Sequence, residues 1–172
     1  SHMKHIPLNH GEREMCDWKQ ESGGLTLYAK IGGYSGSSTR TELAAGIIAL
    51  AAHGPVHLAS DSQAFVKAAN RLIHKINKGK DHKIKWRMHN DGDLWEHFHK
   101  SVLRKTTTGI KIVWVKGHAK QCHIDKGITT TRDKDGNDKA DLTANEGTKL
   151  HHEALRKANK NLANRHKSYT KF

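Results

Sequence analysis

The pattern of apolar and polar positions predicts strands that alternate with helices. Residues 25–31 alternate apolar and other side chains between two pairs of glycines, which predicts a half-buried strand. A Ser/Thr-rich stretch then precedes leucines and isoleucines at helical spacing, and Gly54-Pro55 ends that run. The same reasoning predicts helices over 43–51, 64–76 and 93–103 and strands over 56–60 and 110–115. This alternation indicates a layered α/β domain with parallel pairing.

The charge balance indicates what kind of partner the chain has. Its 172 residues include 30 Lys and Arg against 17 Asp and Glu, a net charge of +13. A polyanion is the expected partner, and a basic surface that only aids solubility is the alternative. No apolar run reaches the roughly 18 residues of a membrane span, and no signal peptide is visible. Cys16 and Cys122 suggest neither a disulfide framework nor a zinc cluster, so a reducing intracellular compartment is expected, nucleus or cytoplasm.

Three acidic residues lie at the ends of predicted elements. Glu42 follows the polar residues 38–41 at the start of the first helix, and Asp61 directly follows the second strand. Asp141 lies in residues 136–142, which predict the opening of a further helix. Carboxylates at a helix start and at a strand end can converge on one divalent cation.

A fourth block contains a histidine. Residues 112–119 form an apolar strand that runs into Gly117 and His118. In this order, and together with Asn-Asp-Gly-Asp-Leu-Trp at 90–95, the blocks resemble type 1 ribonuclease H over about residues 25–147. The resemblance implies an RNase H-like α/β fold with three layers, a mixed sheet flanked by helices. It also implies an endonuclease that hydrolyses the RNA strand of RNA–DNA hybrids.

The resemblance further implies catalysis by two Mg²⁺ ions, for which Mn²⁺ is a substitute. Asp61 would bridge both ions, Glu42 would bind the ion nearer the leaving oxygen, and Asp141 would bind the ion that activates water. Magnesium suits this work because it binds few carboxylates and keeps several waters. His118 matches a family histidine that assists proton transfer or product release, and an imidazole titrates near neutral pH. The alternative, a zinc site without a fourth ligand at standard spacing, would use His118, Cys122 and His123.

The basic segment 71–89 is a candidate for substrate binding, with seven Lys or Arg, a single acid, and Trp86 among them. The resemblance implies a phosphate-binding protrusion here, and a solvated helix end with its loop is the alternative. Trp95 and Trp114 are expected in the core. The predicted substrate-binding residues are Arg40, Ser62, Gln63, Lys78, Lys80, Lys83, Lys85, Trp86 and Asn137.

The chain departs from the family before residue 25. The family's first strand ends in a Thr-Asp-Gly-Ser-like motif whose aspartate joins the metal site, and this motif is not found here, so that strand is missing or divergent. Asp17 lies 25 residues before Glu42, too few for two further strands between them. Three explanations are open: the chain begins inside the second strand, a larger parent polypeptide or a second chain supplies the segment, or Asp17 is a substitute metal ligand. The long polar connection from His118 to Asp141 is a second departure, either a lid or an insertion.

Three segments are expected along the chain. Residues 1–24 begin with Ser-His-Met, typical of an expression tag, and retain part of the second strand; residues 25–147 form the RNase H-like domain; residues 148–172 form a basic extension with a helical apolar stripe. That helix either packs on the domain or serves as a backbone-binding arm. The alternative function is a catalytically impaired module that binds hybrid or double-stranded nucleic acid. A DNA-cutting enzyme of the same superfamily is a third candidate, and the resemblance permits an origin in the reverse transcriptase of a retrotransposon.

Overall fold

The computed structural model describes residues 16–21, 24–29, 31 and 38–151 and the isolated positions 153, 157, 160 and 161. Its elements in chain order are β1 (Cys16–Glu21), β2 (Gly24–Ala29), α1 (Ser38–Leu50), β3 (Val56–Ser60), α2 (Gln63–Asn77), α3 (Gly92–Lys105), β4 (Ile110–Trp114), α4 (Gln121–Asp125) and α5 (Thr131–Lys149). Short 3₁₀ turns lie at Asp81–Lys83, Trp86–Met88 and Thr107–Gly109. None of the described helices is long and apolar enough to cross a membrane.

The chain divides into two compact units. The first is Ile31–Asp138, and the second combines Ser1–Lys30 with Lys139–Phe172. In the second unit β1 and β2 pair antiparallel, and Gly147 of α5 lies against β2. A Cβ at Gly147 would be 3.0 Å from the carbonyl oxygen of Ala29. The missing side chain therefore lets the helix approach the strand closely.

In the first unit, β3 and β4 form a parallel pair in which Ser60 lies opposite Trp114. Val115 extends the ladder by donating its backbone N–H to the Ser60 carbonyl at 3.0 Å. Asn70 of α2 donates its side-chain amide to the Ile112 carbonyl at 3.2 Å, which ties the helix to β4. Parallel strands need a long connection between them, and α2 and α3 lie in that connection. The predicted α/β class with parallel pairing is confirmed.

The buried core of the first unit combines side chains from α1, α2, α3 and β4. Its members are Leu43, Leu50, Phe65, Val66, Ala69, Leu72, Phe98, Val102 and Ile112. Phe65 and Phe98 are fully buried and meet edge to face with their ring centroids 5.8 Å apart. Trp95 stacks on Phe65 at 6.2 Å, as expected for a core residue. The same prediction for Trp114 is wrong, because that residue is 40% exposed.

Helix α5 begins earlier than the sequence pattern indicated. The predicted opening over 136–142 is wrong, because the helix begins at Thr131. Thr130 caps it: the hydroxyl oxygen accepts the Asp133 backbone N–H at 3.1 Å and donates to the Asp133 carboxylate at 2.8 Å. Together with α4, this start makes much of the polar connection after His118 helical instead of loop.

The predicted terminal helix is only partly described. Beyond α5, positions 153, 157, 160 and 161 are helical. The remainder of the basic extension and residues 1–15 lie outside the described residues. The roles predicted for both segments therefore stay predictions.

Two helical glycines lead to opposite expectations for stability. An added Cβ at Gly46 of α1 would lie 2.8 Å from Phe65 Cζ, whereas nothing lies within 4 Å of one at Gly136 of α5. Gly46→Ala should lower the free energy of unfolding by about 1–3 kcal/mol, because it overpacks the aromatic core. Gly136→Ala should raise it by about 0.5–1 kcal/mol, because alanine loses less backbone entropy in a helix. Urea unfolding measures both signs, and a stabilised Gly46→Ala would contradict this packing.

Candidate active site

The carboxyl end of β3 brings two of the predicted acids together. Ser60 ends this strand and is 6% exposed. Its hydroxyl donates to Glu42 Oε2 at 2.6 Å and accepts the Ser62 backbone N–H at 3.1 Å. Asp61 follows Ser60 directly, so Glu42 of α1 and Asp61 lie at the same end of the strand. In open α/β sheets this is the end at which ligands bind.

The loop after β4 lies close against Asp61. A Cβ at Gly117 would overlap the Asp61 carboxylate and approach its Cγ to 3.1 Å. The indole Nε1 of Trp114 donates to the backbone carbonyl of Asp61 at 3.0 Å. Only glycine fits at position 117 beside this carboxylate, so the loop after β4 lies against the Asp61 side chain. Trp114 of β4 contacts the Asp61 backbone.

His118 occupies the same loop, one residue beyond Gly117. It is exposed, and its backbone φ is +48°, in the left-handed region that residues other than glycine rarely adopt. Such a conformation costs roughly 1–2 kcal/mol, and residues held in it concentrate at functional sites. The geometry places this imidazole in the loop that contacts Asp61, and its role in proton transfer stays a prediction.

The donor chemistry of Glu42 and Asp61 fits part of a magnesium site. Carboxylate oxygens are the ligands that Mg²⁺ prefers, and it binds through few of them. Within the described ranges, no three His, Cys, Asp or Glu side chains form a ready metal-binding group. His118, Cys122 and His123, the ligands of the zinc alternative, therefore do not form such a group. The Nδ1 atom of His123 instead accepts a hydrogen bond from the Lys120 backbone N–H at 2.9 Å.

Comparison with known families decides the class of protein. The RNase H family model matches residues 18–149, which include β3, β4 and the loop at Gly117. The chain belongs to the RNase H family. No curated protein and no solved structure matches it. The family consists of hydrolytic nucleases that act on RNA–DNA hybrids and generally use divalent metal ions.

Two predicted substrate-binding residues lie directly after Asp61. Ser62 caps α2, because its side-chain oxygen accepts the Phe65 backbone N–H at 3.3 Å. Gln63 is the first residue of that helix and is exposed. Both therefore lie at the candidate site, and their contact with substrate stays a prediction.

Arg40 has contacts that the sequence did not indicate. It is 9% exposed and donates from Nη1 to Asp91 at 3.1 Å and to Asp93 at 2.9 Å, and from Nη2 to Asp93 at 2.7 Å. These bonds join the start of α1 to the start of α3. They raise the pKa of Arg40 further above its usual value, and the hydrogen bond from Arg40 lowers the pKa of Asp93 to about 2. Through these contacts the Arg40 side chain holds two helix starts together. Its role in phosphate binding stays a prediction.

The basic segment 71–89 is anchored by Trp86. Trp86 is half-buried, packs against the core, and lies 5.3 Å from the His99 ring. His99 Nε2 lies 2.8 Å from the carboxylate of Asp81, a contact that lowers the pKa of Asp81. Gly92 fits beneath this segment, because a Cβ there would overlap the Trp86 carbonyl. The four lysines predicted to bind substrate, Lys78, Lys80, Lys83 and Lys85, are all exposed. Trp86 thus holds the segment in place while the lysines face solvent.

The third acid, Asp141, lies in the middle of α5 and is half-buried. It belongs to the second unit, whereas Glu42 and Asp61 belong to the first. Its convergence with them on shared metal ions stays a prediction. Asn137, another predicted residue, belongs to the first unit, and its buried Nδ2 has no hydrogen-bond partner within the described part of the chain.

The strands β1 and β2 are the first elements of the described residues. The described residues contain one strand, β1, ahead of β2, where the family resemblance implies two. Asp17 lies in β1, opposite Tyr28 of β2. The family match begins one residue after it, so the role of Asp17 as a substitute ligand stays a prediction.

Because Arg40 pairs with Asp93, we expect the free energy of unfolding to fall at acidic pH. Because the folded pKa of Asp93 is about 2 and its ordinary value is 3.8, the pair stabilises the fold above about pH 4 and loses this contribution as the pH falls towards 2. Solvent screening weakens the effect, since the Asp93 side chain is 60% exposed. Asp93→Asn should therefore be less stable than wild type at pH 6, with the difference shrinking towards pH 2.

Urea unfolding at several pH values measures this difference. Asp135→Asn, at an exposed position of α5, is the control and should show no such convergence. A difference between Asp93→Asn and wild type that stays constant from pH 6 to pH 2 would show that the pair does not control acid sensitivity.

Proposed function

We propose that this chain is an endonuclease that hydrolyses the RNA strand of RNA–DNA hybrids with two Mg²⁺ ions. One observation carries the proposal: the Ser60 hydroxyl holds the Glu42 carboxylate at the end of β3 where Asp61 follows, in a member of the RNase H family. Two hard ligands from different elements at one strand end suit a divalent cation.

Glu42, Asp61 and Asp141 would hold the ions in this proposal. When bound, the ions supply activation of the attacking water and neutralise charge on the phosphoryl group. Water attacks phosphorus, the bond from phosphorus to the 3′ oxygen breaks, and the leaving oxygen takes up a proton. His118 would deliver that proton or assist product release from its exposed position in the loop beside Asp61.

The exposed lysines of the basic segment support recognition of a nucleic acid backbone. Lys78, Lys80, Lys83 and Lys85 are exposed, at the end of α2 and on the segment that follows it, where their ammonium groups can reach phosphates. Backbone contacts of this kind orient a duplex without reading its sequence. We therefore propose that this segment binds the hybrid while the carboxylates act on its RNA strand.

A binding module without catalysis is the second candidate. The Thr-Asp-Gly-Ser-like motif that bears the family's first aspartate is not found in the given sequence. A site that works without that carboxylate would bind the metal ions more weakly, and such a module would bind hybrid without cutting it.

Loss of the central acid tests the catalytic proposal. Asp61→Asn should lower Mg²⁺-dependent cleavage of a labelled hybrid by more than about 100-fold, because even outer-shell changes at metal sites cost 10–100-fold. EDTA should abolish wild-type cleavage. Hybrid binding by Asp61→Asn should persist, since the lysines are unchanged.

The matched control is Asp125→Asn, an exposed acid of α4 outside the candidate site, which should cleave within about twofold of wild type. If wild type binds hybrid tightly but never cuts it, the binding module is correct instead. Cleavage of DNA without any need for a hybrid would favour a DNA-specific nuclease.

Neutralising the four exposed lysines tests substrate binding. The combined change of Lys78, Lys80, Lys83 and Lys85 to Gln should weaken hybrid affinity and reduce the salt slope by up to about 3–4, because each lost phosphate contact removes about 0.9. The cleavage rate at saturating hybrid should change little. Lys100→Gln is the control, since Lys100 already pairs with Glu96 at 2.9 Å. An unchanged salt slope in the quadruple variant would contradict binding by this segment.

A further inference from the structure

Ser60 is a buried polar residue at the centre of the candidate site. It is 6% exposed, and burying a hydroxyl is costly unless its hydrogen-bonding groups are paired. Here both are paired, because the hydroxyl donates to Glu42 and accepts from Ser62. No motif in the sequence singles this serine out.

The two bonds determine which way the hydroxyl proton points. A serine hydroxyl has one proton to donate, and the Ser62 N–H occupies its acceptor side at 3.1 Å. The proton is therefore directed at Glu42 Oε2, 2.6 Å away, the short distance typical of a hydroxyl bound to a carboxylate. A carboxylate has about four lone-pair sites, so a carboxylate that accepts a hydroxyl proton can also bind a metal ion.

We propose that Ser60 is a positioning residue that holds the Glu42 carboxylate in its metal-binding orientation. This inference rests on the proposed function, in which Glu42 is a ligand. A glutamate on a helix has several rotatable bonds, and a fixed partner removes most of its alternative orientations before metal binds. Ser60 sits on a strand whose register is set by β4, so it provides a rigid reference point for a side chain from α1.

The test compares Ser60→Thr with Ser60→Val. The two replacements have nearly the same shape and differ in the hydroxyl, so any strain from the added methyl group is shared. Isothermal calorimetry with Mn²⁺ measures metal binding to the full chain without substrate. Thermal unfolding of the same samples reports folding, and the Mg²⁺ concentration for half-maximal hybrid cleavage gives an independent measure.

We expect Ser60→Val to weaken Mn²⁺ affinity by about 10-fold and to raise the half-maximal Mg²⁺ concentration similarly, as for other outer-shell partners. Ser60→Thr should stay within about twofold of wild type, because it keeps the donor. Ser101→Ala is the control. Ser101 is equally buried, at 5% exposed, but lies on α3, so its loss should affect stability without changing metal affinity.

Two results would overturn the inference while leaving the proposed function intact: equal metal affinities for Ser60→Val and Ser60→Thr, or a loss of stability in Ser60→Val without a loss of metal affinity. If Ser60→Val does not fold, Ser60→Ala replaces it and is judged by the same affinity ratio. A wild-type chain that binds no Mn²⁺ and cuts no hybrid would instead overturn the proposed function, and the role of Ser60 with it.

Discussion

The parallel pairing of β3 with β4 places Ser60 opposite Trp114, and the candidate groups of the first unit depend on that register. A slip of one residue would turn Ser60 to the other face of the strand and separate its hydroxyl from Glu42. Two contacts hold the register where it matters. The Val115 N–H binds the Ser60 carbonyl, and the Trp114 indole binds the next carbonyl, that of Asp61. The carboxyl end of β3 therefore both pairs with β4 and positions the carboxylates of Glu42 and Asp61.

Helix α1 is positioned by contacts on both sides of Glu42 in sequence. Before it, Arg40 binds Asp91 and Asp93; after it, Gly46 lies against the ring of Phe65. The ion pair matters because the Asp91 side chain is only 8% exposed, and removing the partner of a buried charge typically costs about 3–5 kcal/mol. The glycine matters because any side chain there meets a packed aromatic ring. Residues that look purely structural thus determine where a proposed metal ligand can lie.

The acids proposed for catalysis and the lysines proposed for substrate binding lie on different elements. The acids Glu42 and Asp61 lie at a strand end, while the exposed lysines follow α2 on a segment that Trp86 and His99 tie to α3. Metal binding requires local negative charge, whereas a polyanionic substrate requires positive charge. Separate elements meet these two requirements, so a chain with net charge +13 can still present carboxylates to a cation.

The sequence by itself determined the main strands and helices of the first unit and the family. Apolar periodicity located β3 at 56–60 as observed, and the order of the acidic and histidine blocks indicated RNase H, because local periodicity and the order of motifs are both written along the chain. Only the tertiary structure decided the partners of those residues. Arg40 binds acids 51 and 53 positions away, Trp114 lies exposed above Asp61, and Ser60 meets a glutamate from another element. Hydrogen bonds depend on distance and direction between atoms in space, and no local periodicity encodes which distant side chains the packed core will bring within 3 Å of each other.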